Sequence, residues 1–264
     1  MKLRIALEDV SFGFGGKPVF TALSLDIGSE NPLAILGPSG CGKTTLLKLL
    51  AGLLTPDSGR VRRTGPSAAD GKDRSGTAPS AFVFQEPRLL PWLTVLENVS
   101  LPIRRLAGPG ARRRARHFLE LVSLGGRLDA YPGELSGGQR QRVSIARAFA
   151  YPAPAVFMDE PFQSLDIPLR IELMEIILGL LEREPRLLVA VTHDPREAVR
   201  LGRRILILGH YPEGIVFDET SAPGAEERAR GTPDHSLLEG KLLKALTDAA
   251  AGRLFSGGGQ DYPA

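Results

Sequence analysis

Gly37-Pro38-Ser39-Gly40-Cys41-Gly42-Lys43-Thr44 decides the fold, because it stands between the apolar run Leu33–Leu36 and a leucine-rich stretch that opens at Lys43. Its glycines and its Lys-Thr pair satisfy the Walker A pattern at every fixed position. Strand, glycine loop and helix in that order aim backbone N–H groups and a positive helix end at one anion. Lys43 adds a mobile positive charge for the β- and γ-phosphates, and Thr44 aims a hydroxyl at Mg²⁺. The stretch therefore reads as the binding site of a nucleoside triphosphate.

On the N-terminal side, residues 3–10 and 19–27 alternate apolar and polar side chains, which predicts two antiparallel strands about the glycine-rich turn 12–18. Phe14, in that turn, either covers the hairpin or offers its face to an adenine ring. On the C-terminal side the helix ends near Gly52, and residues 53–59 form a turn with Pro56-Asp57-Ser58-Gly59 as breakers. Residues 65–79 are rich in Gly, Ser, Ala and Asp without an apolar period and read as a solvent loop. Residues 81–84 make a short strand that delivers Gln85. The run Leu89-Leu90-Pro91-Trp92-Leu93 beyond it reads as a docking surface.

Helical spacing returns from Thr94 to about Leu124, and the arginines between 112 and 116 open its second helix as a solvated face. Leu135-Ser136-Gly137-Gly138-Gln139 precedes a helix expected over residues 140–150. Residues 155–158 form an apolar strand ending in Asp159-Glu160, two carboxylates at the edge of a parallel sheet where ligands bind. That run fits a Walker B strand, with Asp159 directed to Mg²⁺ and Glu160 to the attacking water. Ser164-Leu165-Asp166 opens a further helix, which Ser164 or Asp166 is able to cap. The strand Leu187–Val191 ends at Thr192-His193-Asp194, where His193 is a candidate γ-phosphate contact. Strands over 204–208 and 214–217 follow. From about residue 220 the chain turns polar, with one amphipathic stretch at 237–250 and a glycine tail that reads as disordered.

Bulk properties narrow the class. The 264 residues suffice for one α/β domain with an inserted or appended piece, and the net charge of +3 is too small to point to nucleic acid. A single cysteine, Cys41, excludes an intrachain disulfide and suits a reducing compartment. No apolar run reaches the length of a membrane span, and the N-terminus has no signal-peptide pattern.

With the phosphate loop, the Leu-Ser-Gly-Gly-Gln signature and Asp159 twenty positions after Gln139 in place, the chain resembles the ATP-binding subunits of ABC transporters over about residues 1–219. The resemblance implies a RecA-like P-loop NTPase core of α/β class, an antiparallel β subdomain from the N-terminal strands, and an inserted helical subdomain over about 93–139. Residues 220–264 would be a partly disordered C-terminal extension. It also implies an ATPase that works as a head-to-tail pair of copies, with ATP and Mg²⁺ as cofactors. One copy would contribute Phe14, Gly37, Pro38, Ser39, Gly40, Cys41, Gly42, Lys43, Thr44 and Thr45, and its mate Ser136, Gly137, Gly138 and Gln139. Thr44, Gln85 and Asp159 would hold the metal. Glu160, His193, Gln85 and Lys43 would carry the chemistry, and Asp166 would lie at the dimer seam.

A finer likeness lies in residues 84–99, which are similar to importer ATPases of the nitrate, sulfonate and taurine group; the length of loop 65–79 and the C-terminal segment depart from that group. The partners implied are a transmembrane permease and, indirectly, a substrate-binding protein, with no nucleic acid, at the cytoplasmic face of the membrane. The alternatives are a soluble ABC ATPase acting on nucleic acid and a module that binds ATP without turnover. Alkylation of Cys41 is expected to block ATP binding, with ATP protecting.

Overall fold

The computed structural model describes residues 3–65, 79–163, 165–220 and 233–256. In chain order the elements are β1 (Arg4–Phe14), β2 (Lys17–Gly28), β3 (Leu33–Leu36), α1 (Lys43–Ala51), β4 (Ser58–Thr64) and β5 (Ser80–Val83). There follow α2 (Val95–Ser100), α3 (Arg104–Ala107), α4 (Ala111–Leu121), α5 (Gly137–Ala150), β6 (Ala155–Asp159), α6 (Ile167–Arg183) and β7 (Leu187–Val191). The chain closes with α7 (Pro195–Leu201), β8 (Arg204–Leu208), β9 (Ile215–Thr220) and α8 (Pro233–Ser256). It divides into two compact units, Met1–Gly65 with Val189–Ala264, and Pro66–Leu188.

In the first unit, β1 and β2 pair antiparallel and extend beyond the ranges that alternation alone predicts. Their turn is only Gly15-Gly16, both at positive φ (55° and 79°), the backbone that a two-residue hairpin demands. Phe14 is consequently the last residue of β1 rather than part of the turn. On the other side of β1 lies β4, a strand that begins in the expected turn 53–59 and runs through residues 60–64, to which the sequence reading assigns nothing. Its Arg60 sits directly across from Glu8, and Arg60 and Arg62 both ion-pair with that carboxylate. Charge pairing across the ladder thus supports a strand whose own sequence offers one apolar residue, Val61.

The same unit holds a buried layer in which β3 lies parallel between the end of β7 and β8, with β9 antiparallel at the edge. Every residue of β3 is buried, as a continuous apolar run in a parallel sheet requires. Helix α7 has no counterpart in the sequence reading; its N-cap Asp194 accepts from the Arg196 amide at 2.9 Å, and Pro195 occupies the first turn. Leu238, Leu242 and Ala249 of α8 join Ala34, Leu36, Ala198, Val199, Ile205 and Ile207 in one apolar cluster. Residues 257–264, the glycine tail of the sequence reading, lie outside the described residues, as do residues 66–78 of the expected solvent loop and Ser164.

In the second unit β5 and β6 pair in parallel, Val83 opposite Met158, so that the residues following both strands leave the sheet at one edge. Helices α2, α4 and α5 pack together through Val95, Leu96, Val99, Ala115, Phe118, Leu119, Val143 and Ala146, all buried. Helix α5 begins at Gly137, ahead of the expected start at residue 140. Its last carbonyls are taken up by guanidinium groups: Arg186 donates to Phe149 O at 2.8 Å and Tyr151 O at 2.7 Å, and Arg114 to Ala150 O at 2.6 Å. Cations at a helix C-terminus both satisfy these acceptors and oppose the helix dipole. Among the described residues no helix is long and apolar enough to cross a membrane.

Candidate functional site

The phosphate loop leaves buried β3 and enters α1 through Gly42, whose φ of 102° and ψ of 11° no β-carbon tolerates well. A β-carbon there would also lie 2.7 Å from Val19 and 2.8 Å from Phe20, so β2 presses against the loop at this point. No side chain caps α1, and a glycine loop that runs straight into a helix start is suited to an anion. Lys43 is buried; its Nζ donates to the Gly37 and Pro38 carbonyls, each at 2.9 Å. Ser39 and Gly40 are exposed at the loop's crest, and Thr44 and Thr45 stand in the first turn of α1, Thr45 half-buried.

Cys41 is different from its neighbours. Only 3% of it is exposed, and its sulfur points inward to within 2.7 Å of where a β-carbon on Gly37 would be. The loop can therefore offer a phosphate the backbone of Cys41 but not its thiol. Burial pushes the thiol pKa up, with the Lys43 charge pulling the other way.

Phe14 is 56% exposed and meets Phe12 edge-on, ring centres 4.9 Å apart at 87°. Phe12 stands opposite Phe20, the ring that abuts Gly42. Residues two apart on a strand share a face. Phe14 thus extends a line of rings that starts at the phosphate loop, with an open face for a further aromatic group.

In the second unit, β5 delivers Gln85 and β6 delivers Asp159 and Glu160 to the same edge. Glu160 has φ 45°, a left-handed conformation that costs a non-glycine residue about 1–3 kcal/mol. A tight turn holds it there: Gln163 N donates to Glu160 O at 3.2 Å, and buried Gln141 of α5 donates to Pro161 O at 2.7 Å. The Gln85 amide nitrogen donates to the Gln163 side-chain oxygen. Gln163 is absent from the sequence-based site; its place three residues after Glu160, in a turn, is the one signal that could have found it.

The segment after Gln85 is pinned from α5 and α2. Arg147 donates to Pro87 O at 2.7 Å and Arg88 O at 2.9 Å, and burial lowers its pKa. Asn98, 2% exposed, donates to the carbonyls of Leu90, Leu93 and Thr94 at 3.0–3.1 Å and accepts from Leu90 N at 2.8 Å. Held this way, the segment displays Trp92 at 69% exposure. An indole kept in water by a rigid loop suits a partner surface.

Ser136 caps α5 in a reciprocal box: its hydroxyl accepts from Gln139 N at 3.3 Å, and Gln139 Oε1 accepts from Ser136 N at 3.0 Å. Gly137 is exposed with open space where a β-carbon would be, whereas a β-carbon on Gly138 would strike Leu169 of α6 at 2.3 Å. Asp166 occupies the N-cap position of α6, but its side chain makes no capping hydrogen bond. His193 is exposed in the first unit, between buried Thr192 and the capping Asp194. Thr192 is itself fixed, since its amide donates to Ile35 O at 3.1 Å and its hydroxyl to buried Glu197. That Thr192–Glu197 pair is a second support absent from the sequence reading.

Comparison with known proteins agrees with this geometry. The family described as ABC transporter matches residues 20–163. The aliphatic sulfonates import ATP-binding protein of Mesorhizobium japonicum is 39% identical over 91% of this chain and 88% of its own length. Its counterpart from Burkholderia ambifaria is 40% identical over 94% of this chain and 73% of its own length. A dimeric ATP-binding cassette solved in a post-hydrolysis state with ADP and Pi superposes with a TM-score of 0.70 at 32% identity, covering 83% of this chain and all of that one. A phosphate loop, a signature turn and a carboxylate-tipped strand in a fold of this kind make the chain a member of the ABC transporter family, an ATP-binding ATPase of its transport cassettes.

Proposed function

We propose that the chain powers uptake of an aliphatic sulfonate or a related small anion through a separate membrane permease, to which two copies bind at the cytoplasmic face. A substrate-binding protein would deliver the solute. The likeness to sulfonate import proteins supports the solute class, and the pinned, Trp92-bearing segment supports a permease contact.

The observation that carries the ATPase reading is the common edge of β5 and β6, where Gln85 and strained Glu160 emerge together. Lys43 and the loop amides hold and neutralise the β- and γ-phosphates. Glu160 takes the proton from the attacking water, and His193 contacts the γ-phosphate. Ser136 and Gly138 of the second copy complete the pocket, and Phe14 stacks on the adenine. Thr44, Asp159 and Gln85 offer a hydroxyl, a carboxylate and an amide oxygen, all hard donors that fit Mg²⁺. When bound, that ion neutralises charge on the phosphate oxygens.

ATP can drive the permease only through unequal affinity for the open and closed pair, and a nucleotide bridging both copies supplies the inequality. The test is Glu160→Gln. It is expected to keep ATP and accumulate a dimer while turnover falls at least about a hundredfold. Wild-type phosphate release by that variant would sink the assignment.

A further inference from the structure

We propose that Gln163 is a positioning residue that orients the amide of Gln85 and ties it to the backbone of Glu160; this rests on the reading of Gln85 as a ligand of the nucleotide-bound cation. The Gln85 side chain has one donating end and one accepting end. Its donating end is engaged by Gln163 Oε1. The oxygen is then the end turned to other partners, which is the end a cation needs.

Gln163 is well placed for this because it is not a loose surface residue. Its amide closes the turn onto Glu160 O, and the carbonyl of Pro161 within that turn is held by buried Gln141. Gln163 therefore touches both halves of the catalytic edge, Gln85 through its side chain and Glu160 through its backbone. The segment that leaves Gln85 is itself pinned by Arg147 and Asn98 as far as Leu93. A push on that segment has a short path to Glu160: Gln85, the amide pair, the turn. Both glutamines are exposed, so water can replace either partner and the contact can be made and broken readily.

The decisive property is the acceptor oxygen, which Gln163→Glu keeps and Gln163→Met removes at similar length. The affinity of the full-length chain for a fluorescent, non-hydrolysable ATP analogue is measured in EDTA and in Mg²⁺. In Q163M the gain in affinity on adding Mg²⁺ is expected to shrink about tenfold, as loss of an outer-shell support does, while Q163E stays within about twofold of wild type. Metal-free affinity stays unchanged in both. In a Gln85→Ala background, where the gain is already reduced, Q163M should add nothing. A wild-type gain in Q163M, a Q163E as defective as Q163M, or independent losses from Q85A and Q163M would each overturn the proposal. An undiminished gain in Q85A alone would overturn the reading of Gln85 on which it rests.

Discussion

The chain contains two glycine-rich helix starts that look alike in sequence and are built in opposite ways. At α1 the N-cap is Gly42 in a left-handed conformation with no side-chain cap, and a buried lysine lies against the loop carbonyls. At α5 the N-cap is Ser136 in an extended conformation, and Ser136 and Gln139 cap each other. The first start has no cap from a side chain and depends on backbone that only glycine adopts with ease. The second satisfies two orphan amides from within, those of Ser136 and Gln139, and needs no unusual backbone. On the proposed function, a loop that holds phosphate by itself would thus be distinguished from a turn that stays folded until a second copy brings the phosphate to it.

Substituting the glycines should break this contrast in a graded way. Gly42→Ala is expected to have the largest effect: the strained φ and the contacts with Val19 and Phe20 should cost about 1–3 kcal/mol of stability and abolish ATP binding, as read by denaturation and calorimetry. Gly137→Ala meets open space at ordinary helical backbone, so its thermal midpoint should hold or rise. Its turnover should nevertheless fall about a hundredfold, the loss typical when a donor to developing charge is displaced, with single-chain ATP affinity intact. Equal ATPase activity in Gly137→Ala and wild type would mean that the signature turn does not approach a nucleotide. Ser136→Ala should be milder in stability, costing about 1 kcal/mol as other lost caps do.

The same contrast explains what the sequence made visible. The limits of β3, α1 and β7 were legible because an apolar run and a glycine motif are properties of a few adjacent residues, and so was the placement of Lys43, Asp159 and Glu160. Strand β4 was not, since its ladder and its ion pairs are both made with β1, where Glu8, far away in the chain, faces Arg60 and Arg62. The early start of α5 was hidden because two glycines suppress a helical reading, although Ser136 and Gln139 form a capping box at the required spacing. Gln163 and the Thr192–Glu197 pair were invisible for a third reason: each acts by supporting another residue, and only the fold brings them together.

The smallest expected effect sharpens the account of the phosphate loop. Its place within the motif predicts that alkylating Cys41 blocks ATP binding, but the thiol is buried against Gly37 and its pKa is raised by that burial. A thiol reagent should therefore react with the native chain far more slowly than with the unfolded one, and ATP should slow it further only by holding the loop shut. The raised pKa has a definite sign for stability. Below the ordinary thiol pKa, about 8.5, both states keep the proton and the group contributes its full share; as pH rises through that value the unfolded chain ionises first, and stability declines. Cys41→Ala should remove this alkaline decline while leaving ATP affinity within about twofold, because the thiol is buried against Gly37 and leaves only the backbone of residue 41 for the phosphate proposed to bind there. Rapid native modification would show instead that the loop opens freely, and a large loss of ATP affinity in Cys41→Ala would place the sulfur inside the cradle.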